Sequence, residues 1–210
     1  MGLYQRHILP RLLHSGMQSA QQSTLRSALL APVRGRVLEI GIGSGLNIPF
    51  YGRDVVQVIG VDPSRPLLNK AKSIAVWSRC SIRLVEGLGE SLPLQDNSVD
   101  FVIMTWTLCS VADPIGTLCE ARRVLRPGGV ILFLEHGLAP DSEPAVQHLQ
   151  NLLTPFWRRL AGNCHLNRRI DQLFKAAGFQ TEMSTCGSLM RGPKPLTFGY
   201  QGRAVISDAA

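Results

Sequence analysis

From Arg36 onward the chain alternates short apolar runs with longer amphipathic stretches. The runs Val37–Ile40, Val55–Val61, Ile82–Val85, Val99–Met104 and Val130–Leu134 are rich in β-branched residues and bounded by Gly, Pro, Asp or Asn. That is the pattern of buried strands. Helices are predicted between them: one following Gly45, one capped by Ser64 and running to about Arg79, and one from about Asp113 to Arg126, where Pro127-Gly128-Gly129 stops it. Regular alternation of this kind predicts an α/β, Rossmann-like doubly wound sheet, mostly parallel, with helices on both faces.

The two ends read differently. Residues 3–31 carry apolar positions near helical spacing, with Pro10 expected to interrupt the first piece. After residue 144 a long helix carries Leu149, Leu152, Leu153, Phe156, Trp157 and Leu160. A second helix, about Arg169–Ala177, ends at Gly178, a natural position for a left-handed cap. Two final strands, Phe179–Cys186 and Leu196–Ile206, flank a turn with Gly187, Gly192, Pro193 and Pro195, and predict an antiparallel hairpin at the sheet edge. The expected organisation is a helical lid, residues 1–35, over a single seven-stranded unit, residues 36–210.

Composition sets bounds. The 210 residues suffice for one α/β domain with a continuous core. The net charge is +7, and the excess sits at the ends: five arginines and no acid precede Glu39. Sequence charge informs association rather than fold, so a polyanion or an anionic surface is one reading and solvated arginine faces are another. The Phe156-Trp157-Arg158-Arg159 cluster is expected to be a core-facing stripe with two solvated arginines. Exposed, it would suit weak peripheral contact with a bilayer. The basic balance comes without an aromatic-interleaved basic stripe, and no Asn/Asp-Pro-Pro-aromatic stretch follows the fourth strand, so no nucleic-acid partner is expected. Five cysteines, never spaced as CxxC, argue against a disulfide framework or zinc ribbon and fit a reducing compartment. Arg6, His7, Arg11 and His14 interrupt the N-terminal apolar positions, so neither signal peptide nor membrane span is readable and the cytoplasm is the expected location.

The chemistry gathers around VLEIGIGSGLN, Val37–Asn47. Glycines after a first strand let backbone approach a ligand and leave donors free at the next helix. A dinucleotide loop needs G-x-G-x-x-G; here the spacing is Gly41-x-Gly43-x-Gly45, with Leu46 at the dinucleotide position. Glu39, at the strand end, would repel phosphate but suits a ligand with a cationic end. Asp62 closes the second strand about 20 residues on, where an acid binds ribose hydroxyls. Its other reading is the start of a helix at Asp62-Pro63-Ser64. Together these favour a positively charged, phosphate-free nucleoside.

The segment Val37–Gly129 resembles class I S-adenosyl-L-methionine-dependent methyltransferases of the type 11 group. The matching pieces are VLEIGIGSG, GVDPS at 60–64, EGLGESLPLQDNSVD at 86–100 and RRVLRPGG at 122–129. The resemblance implies S-adenosyl-L-methionine as cofactor, with Glu39 near the methionine end. Gly41, Gly43, Ser44, Gly45 and Asn47 would line it, Asp62 and Pro63 would lie at the ribose, Gly89 and Glu90 at the adenine, and Thr105 at the end of the fourth strand. Leu88 departs from the pattern, since many relatives carry Asp or Asn there as acceptor for the adenine amino group. TLCSV at 107–111, LEHG at 134–137, the tryptophan-containing helix, a cysteine-containing loop and AGF at 177–179 further resemble alkyl-thiol S-methyltransferases and their soluble bacterial relatives. The animal members carry a hydrophobic N-terminal anchor; the N-terminal helices expected here are arginine-studded instead, so membrane residence is not expected to transfer.

A small acceptor is therefore expected, a thiol or sulfide first, with an aminophospholipid amine or a quinone-pathway carbon or oxygen as alternatives. Methyl transfer from a sulfonium is an in-line displacement that depends on positioning and exclusion of water. A thiol, with a pKa of roughly 8.5, needs little base assistance near neutrality. Acceptor contacts are expected from Tyr4 and His7 in the lid, Cys109 after the fourth strand, His136 after the fifth, and His165. His136 is the candidate catalytic residue. Cys109 also reads as a small buried filler. The linear spacing of Cys109, His136, Cys164 and His165 matches no established metal-site type, so no metal is expected.

Overall fold

The computed structural model describes residues 8–207. Seven strands form one sheet in the order β3-β2-β1-β4-β5-β7-β6. In chain order they are β1 (Gly35–Ile40), β2 (Val55–Asp62), β3 (Ser81–Glu86), β4 (Val99–Thr105), β5 (Leu125–His136), β6 (Phe179–Ser188) and β7 (Phe198–Ile206). The helices are α1 (Leu9–Gly16), α2 (Ala20–Leu30), α3 (Arg65–Ala75), α4 (Pro114–Val124), α5 (Pro144–Leu160), α6 (Ile170–Ala176) and α7 (Lys194–Thr197). The first five strands run parallel, and β7 is antiparallel to both β5 and β6. The C-terminal hairpin therefore closes the sheet as expected, with β6 at the edge.

Period-two alternation divides the core between the two faces. Leu38, Ile40, Val102, Met104, Ile131 and Phe133 pack on one side with Leu118, Val124 and Phe174. Val37, Val58, Phe101, Ile103, Leu132 and Leu134 pack on the other with Leu29 and Leu30 of α2. Burying both faces is why these strands read as nearly continuous apolar runs. The chain leaves β1 toward β2 and returns to β4 on its other side, so the winding reverses between β1 and β4. In open α/β sheets that switch point opens a crevice at the strands' carboxyl ends.

Three local expectations differ from the structure. Pro10 does not interrupt the first helix; it occupies the second position of α1, in the first turn, where a missing N–H costs nothing. The break comes at Gly16–Ser19, where Ser19 accepts from Gln22 N at 3.3 Å and caps α2. No α-helix follows Gly45. A single 3₁₀ turn, Ile48–Phe50, fills the space, because Gly52 follows it and β2 already begins at Val55. The α5 stripe does not face the core: Leu149, Leu152 and Phe156 are exposed, Phe156 by 64 %. Trp157 alone of the Phe156–Arg159 cluster turns inward, against Cys109, Cys164 and Leu166.

Candidate active site

The glycine loop is built by backbone bonds that fold it over the end of β2. Gly41 and Ile42 both donate to Val61 O, and Gly45 donates to Ile42 O. Ile42 plugs into a small apolar cluster with Ile48, Leu68 and Ala71, which ties the loop to α3. Gly45 holds φ +80° and lies so close to α3 that a Cβ would stand 3.1 Å from Ala71 Cα. No other residue type fits there without strain. Gly43, at φ +55°, is different: a Cβ would meet no atom of the described residues nearer than 3.8 Å. Its Cβ direction opens onto free space beside Asp62.

Asp62 is held at that space by two backbone donors. Its Oδ2 accepts from Gly43 N at 2.9 Å and its Oδ1 from Ser64 N at 2.7 Å. A carboxylate offers about four lone-pair sites, so two remain for hydroxyl donors. Burial raises the Asp62 pKa and the two N–H bonds oppose the rise. Ser64 itself has no side-chain cap bond, so Asp62 rather than Ser64 supplies the polar contact at the start of α3. Pro63 is exposed.

Glu39 lies beneath the loop, buried, with both oxygens engaged. Asn47 Nδ2 donates to Oε1 at 2.8 Å and Tyr51 OH donates to Oε2 at 2.6 Å. Asn47 also donates to Thr105 Oγ1 at 3.1 Å and accepts from an Arg26 guanidinium N–H at 3.0 Å. One amide thereby links the ends of β1 and β4 to α2. Burial pushes the Glu39 pKa up to about 7, with the Tyr51 and Asn47 bonds and the Arg26 charge opposing and Asp62 reinforcing. The unfolded carboxyl loses its proton near 4.5, so between about pH 4.5 and 7 the native state binds the extra proton. Stability conferred by that proton is complete below the lower value and is lost as pH rises through the upper one, a change of about 3 kcal/mol. Thermal melts of the ligand-free protein should fall from pH 5 to pH 7.5, and Glu39→Gln should flatten that part of the profile.

The N-terminal helices reach the same loop. His14 Nδ1 lies 2.8 Å from Ser44 Oγ, joining α1 to the glycine turn. Gln22 in α2 accepts from the Trp106 indole N–H at 3.0 Å and donates to Leu189 O. Between α1, α2 and the loop lies a cavity of about 390 Å³ lined by Met17, Ser23, Arg26, Leu46 and Phe50 among others.

A second cluster forms where β4 and β5 end. Trp106 takes φ +58°, a conformation uncommon for a bulky residue and frequent at functional positions. Its ring packs on His136, centroids 4.5 Å apart. Glu135 is fully buried and pegs the following turn: Oε1 accepts from Thr107 N and Leu108 N, each at 2.9 Å, and Oε2 from Cys109 N at 3.3 Å. Arg168 grips the turn's other side through Leu108 O and, at 2.8 Å, Val111 O. His165 bonds Cys109 O through its backbone N at 2.8 Å, with ring Nδ1 3.2 Å from the same oxygen. Cys164 Sγ lies 3.3 Å from His136 Nδ1. His136 Nε2 is buried without a hydrogen-bond partner among the described residues.

The structure thus gathers Glu39, Asn47 and Thr105 in one network, Gly43 and Asp62 in a second, and Cys109, His136 and His165 in a third. Three residues expected at a ligand also make protein contacts. A Cβ on Gly41 would strike Thr107, and one on Gly89 would stand 2.9 Å from both Ile40 and Thr117. The Glu90 carboxylate accepts from Asp113 N at 3.1 Å, ahead of α4. Leu88 is exposed. Tyr4 and His7 lie outside the described residues. Sequence reading missed Arg26, Tyr51, Trp106, Glu135 and Arg168. Only Glu135 carried a signal, an acid closing an apolar run in VILFLEHG, as Glu39 does in VLEIG.

The model of the methyltransferase domain family matches residues 38–133. Human thiol S-methyltransferase TMT1B is 39 % identical over 177 residues, 82 % of this chain and 69 % of that protein. The match to the rat TMT1B spans 59 % of that protein's length. A demethylmenaquinone methyltransferase of Tropheryma whipplei is 30 % identical over 149 residues, 70 % of this chain and 57 % of that protein. Among solved structures, the Haloferax volcanii complex of a methyltransferase with its Trm112 activator superposes with TM-score 0.72 at 18 % identity, covering 100 % of this chain and 99 % of the other. That likeness speaks for the fold.

Proposed function

Because the chain belongs to the methyltransferase-domain family, we propose that it transfers the methyl group of S-adenosyl-L-methionine to a small thiol or sulfide. The observation that carries the reading is the space beside the glycine loop where it folds over the end of β2. A left-handed glycine there leaves its Cβ direction open beside a carboxylate with two lone pairs to spare. That fits a ribose diol, and no cluster of free backbone donors at an α-helix N-terminus stands ready for a diphosphate, because only a 3₁₀ turn follows the loop. Bound there, the cofactor would supply an electrophilic methyl on a sulfonium. Asp62 would hold its ribose hydroxyls, and Gly43 and Ser44 would border it. Glu39 acts through Asn47 and Tyr51, setting a negative potential beneath the methionine end once ionised.

The protein's remaining work is positioning and exclusion of water. Residues 1–35 serve as lid: α1 and α2 reach the loop through His14 and Arg26 and the acceptor side through Gln22. Trp106 and His136 would form the wall against which the acceptor sulfur approaches. Thiol acceptors are favoured by the similarity to TMT1B and by the absence of demand for a strong base. Five free thiols suit a reducing compartment such as the cytoplasm.

One observation favours a second reading, methylation of an aminophospholipid. Leu149, Leu152 and Phe156 form an exposed apolar stripe beside Arg158 and Arg159, suited to an anionic interface. No helix among the described residues is long and apolar enough to cross a membrane. A single panel separates the readings. The protein is incubated with methyl-labelled cofactor and sulfide, alkyl thiols or vesicles of phosphatidylethanolamine with phosphatidylglycerol, and products are read by mass spectrometry. Label is expected on thiols, with none on the vesicle amine; label on the amine alone would replace the thiol reading with the lipid one.

A further inference from the structure

We infer that Cys109, His136 and Cys164 form a three-ligand site for a soft divalent cation of the zinc class, with the fourth position open to an acceptor sulfur. The two Sγ atoms and a ring nitrogen of His136 lie within 4.8 Å of one another, all buried. A tetrahedral zinc ion, with bonds of roughly 2.3 Å to sulfur and 2.0 Å to nitrogen, separates its ligand atoms by roughly 3.5–3.8 Å. Cys164 Sγ and His136 Nδ1 already stand 3.3 Å apart, so a cation would enter with small side-chain adjustments.

The three ligands are far apart in sequence yet fixed in space. Cys109 rides on the turn pegged by Glu135 and gripped by Arg168. Cys164 is tied to that turn through His165 N, which donates to Cys109 O, and Asn163, whose side chain donates to Ser110 O. The His136 ring is braced by Trp106. A site this constrained satisfies the need for pre-positioned donors. Two thiolates and a neutral imidazole are the donors that select zinc-class ions over magnesium or calcium. They also neutralise a dication, which suits a buried position.

Nearby donors that could close the shell are engaged elsewhere. The Glu135 oxygens accept three backbone N–H bonds, and His165 Nδ1 faces Cys109 O. Three protein ligands with one position left is the arrangement of catalytic rather than structural zinc. Its use follows from the thiol reading above, on which this part rests. Cation binding expels the protons of Cys109 and Cys164 to solvent. An acceptor RSH then releases its own proton to solvent as its sulfur binds as thiolate, held beside Trp106 at the rim of β4.

The test uses the full-length reduced protein, stripped of metal and titrated with cobalt(II). Thiolate-to-cobalt charge-transfer bands and intense visible bands of tetrahedral cobalt should saturate at one equivalent, and zinc should displace them. Cys109→Ser and Cys164→Ser should weaken binding by about 100-fold or more, while Cys119→Ser and Cys186→Ser leave it unchanged. Zinc-edge absorption on the unaltered protein, expected to count two sulfurs and one imidazole, gives the answer even if a serine variant misfolds. An alkyl thiol should shift the visible bands. Absence of the bands, or their persistence in both Cys109→Ser and Cys164→Ser, overturns the site. A site that forms but ignores thiols keeps the cation and refutes its role toward the acceptor. A site that forms in a protein methylating only lipid amines refutes the thiol reading alone.

Discussion

Asp62→Ala should reduce affinity for S-adenosyl-L-methionine by at least about two orders of magnitude, read by calorimetric titration with S-adenosyl-L-homocysteine. Two hydroxyl bonds to an ionised acceptor are worth about 1.5–3 kcal/mol each, and both would vanish. The variant also frees Gly43 N and Ser64 N, so stability should fall by about 1–2 kcal/mol. Asp62→Asn retains one carbonyl oxygen and should stand between the two. A companion substitution isolates the ligand from the fold. Gly43→Ala introduces a methyl that meets no atom of the described residues within 3.8 Å, and the left-handed backbone adds a strain of about 1 kcal/mol. Loss of binding in a protein that still melts cooperatively would mean that the space belongs to the ligand. Wild-type affinity in Asp62→Ala would remove the ribose assignment altogether.

The parts of the fold legible in the sequence were those written by local chemistry. Strands buried on both faces declare themselves as unbroken apolar runs, and β1, β2, β4 and β7 begin or end within two residues of expectation. Asp113 and Gly178 punctuate as their conformations require: Asp113 accepts from Gly116 N at 2.9 Å, and Gly178 holds φ +80°. Where two local signals competed, reading failed. Pro10 can break a helix or begin one, and only its distance from the helix start decides. The helix expected after Gly45 lost to the short span available before β2. The α5 stripe has a helical period that says one face is apolar. It does not say whether that face meets the core or solvent, and here the core was already filled by α4 and α6.

The site was legible in proportion to its contiguity. Gly43 and Asp62 announce themselves because a tight turn and a strand-end acid are local patterns. Arg26 and Tyr51, which share Asn47 and Glu39, lie on elements that only the fold brings together. Linear spacing spoke against any metal set at Cys109, His136 and Cys164. Yet the parallel crossovers bring the ends of β4 and β5 side by side, and the loop after α5 lies across both, which spacing along the chain does not encode.

Glu135→Ala should be the most destabilising single substitution near the acceptor side, at about 3–5 kcal/mol. The carboxylate is fully buried and accepts from three successive backbone amides. Each buried N–H left without a partner costs about 1–3 kcal/mol, and alanine leaves three while opening a cavity that side chains fill only in part. In urea the midpoint should drop with the slope unchanged, the mark of a lost native interaction rather than an altered unfolded state. Glu135→Gln makes the sharper comparison. With its oxygen at the Oε1 position it keeps Thr107 and Leu108, but its amide group confronts the Cys109 N–H donor with another donor. It should recover more than half of the stability yet leave the Cys109 N–H without an acceptor. Methyl transfer should therefore remain impaired in Glu135→Gln at temperatures where the protein is fully folded, with cofactor affinity retained, because the loss falls on the turn that carries Cys109 and not on the crevice that holds Asp62. A variant that restored stability and turnover together would mean that the carboxylate serves the turn's folding alone.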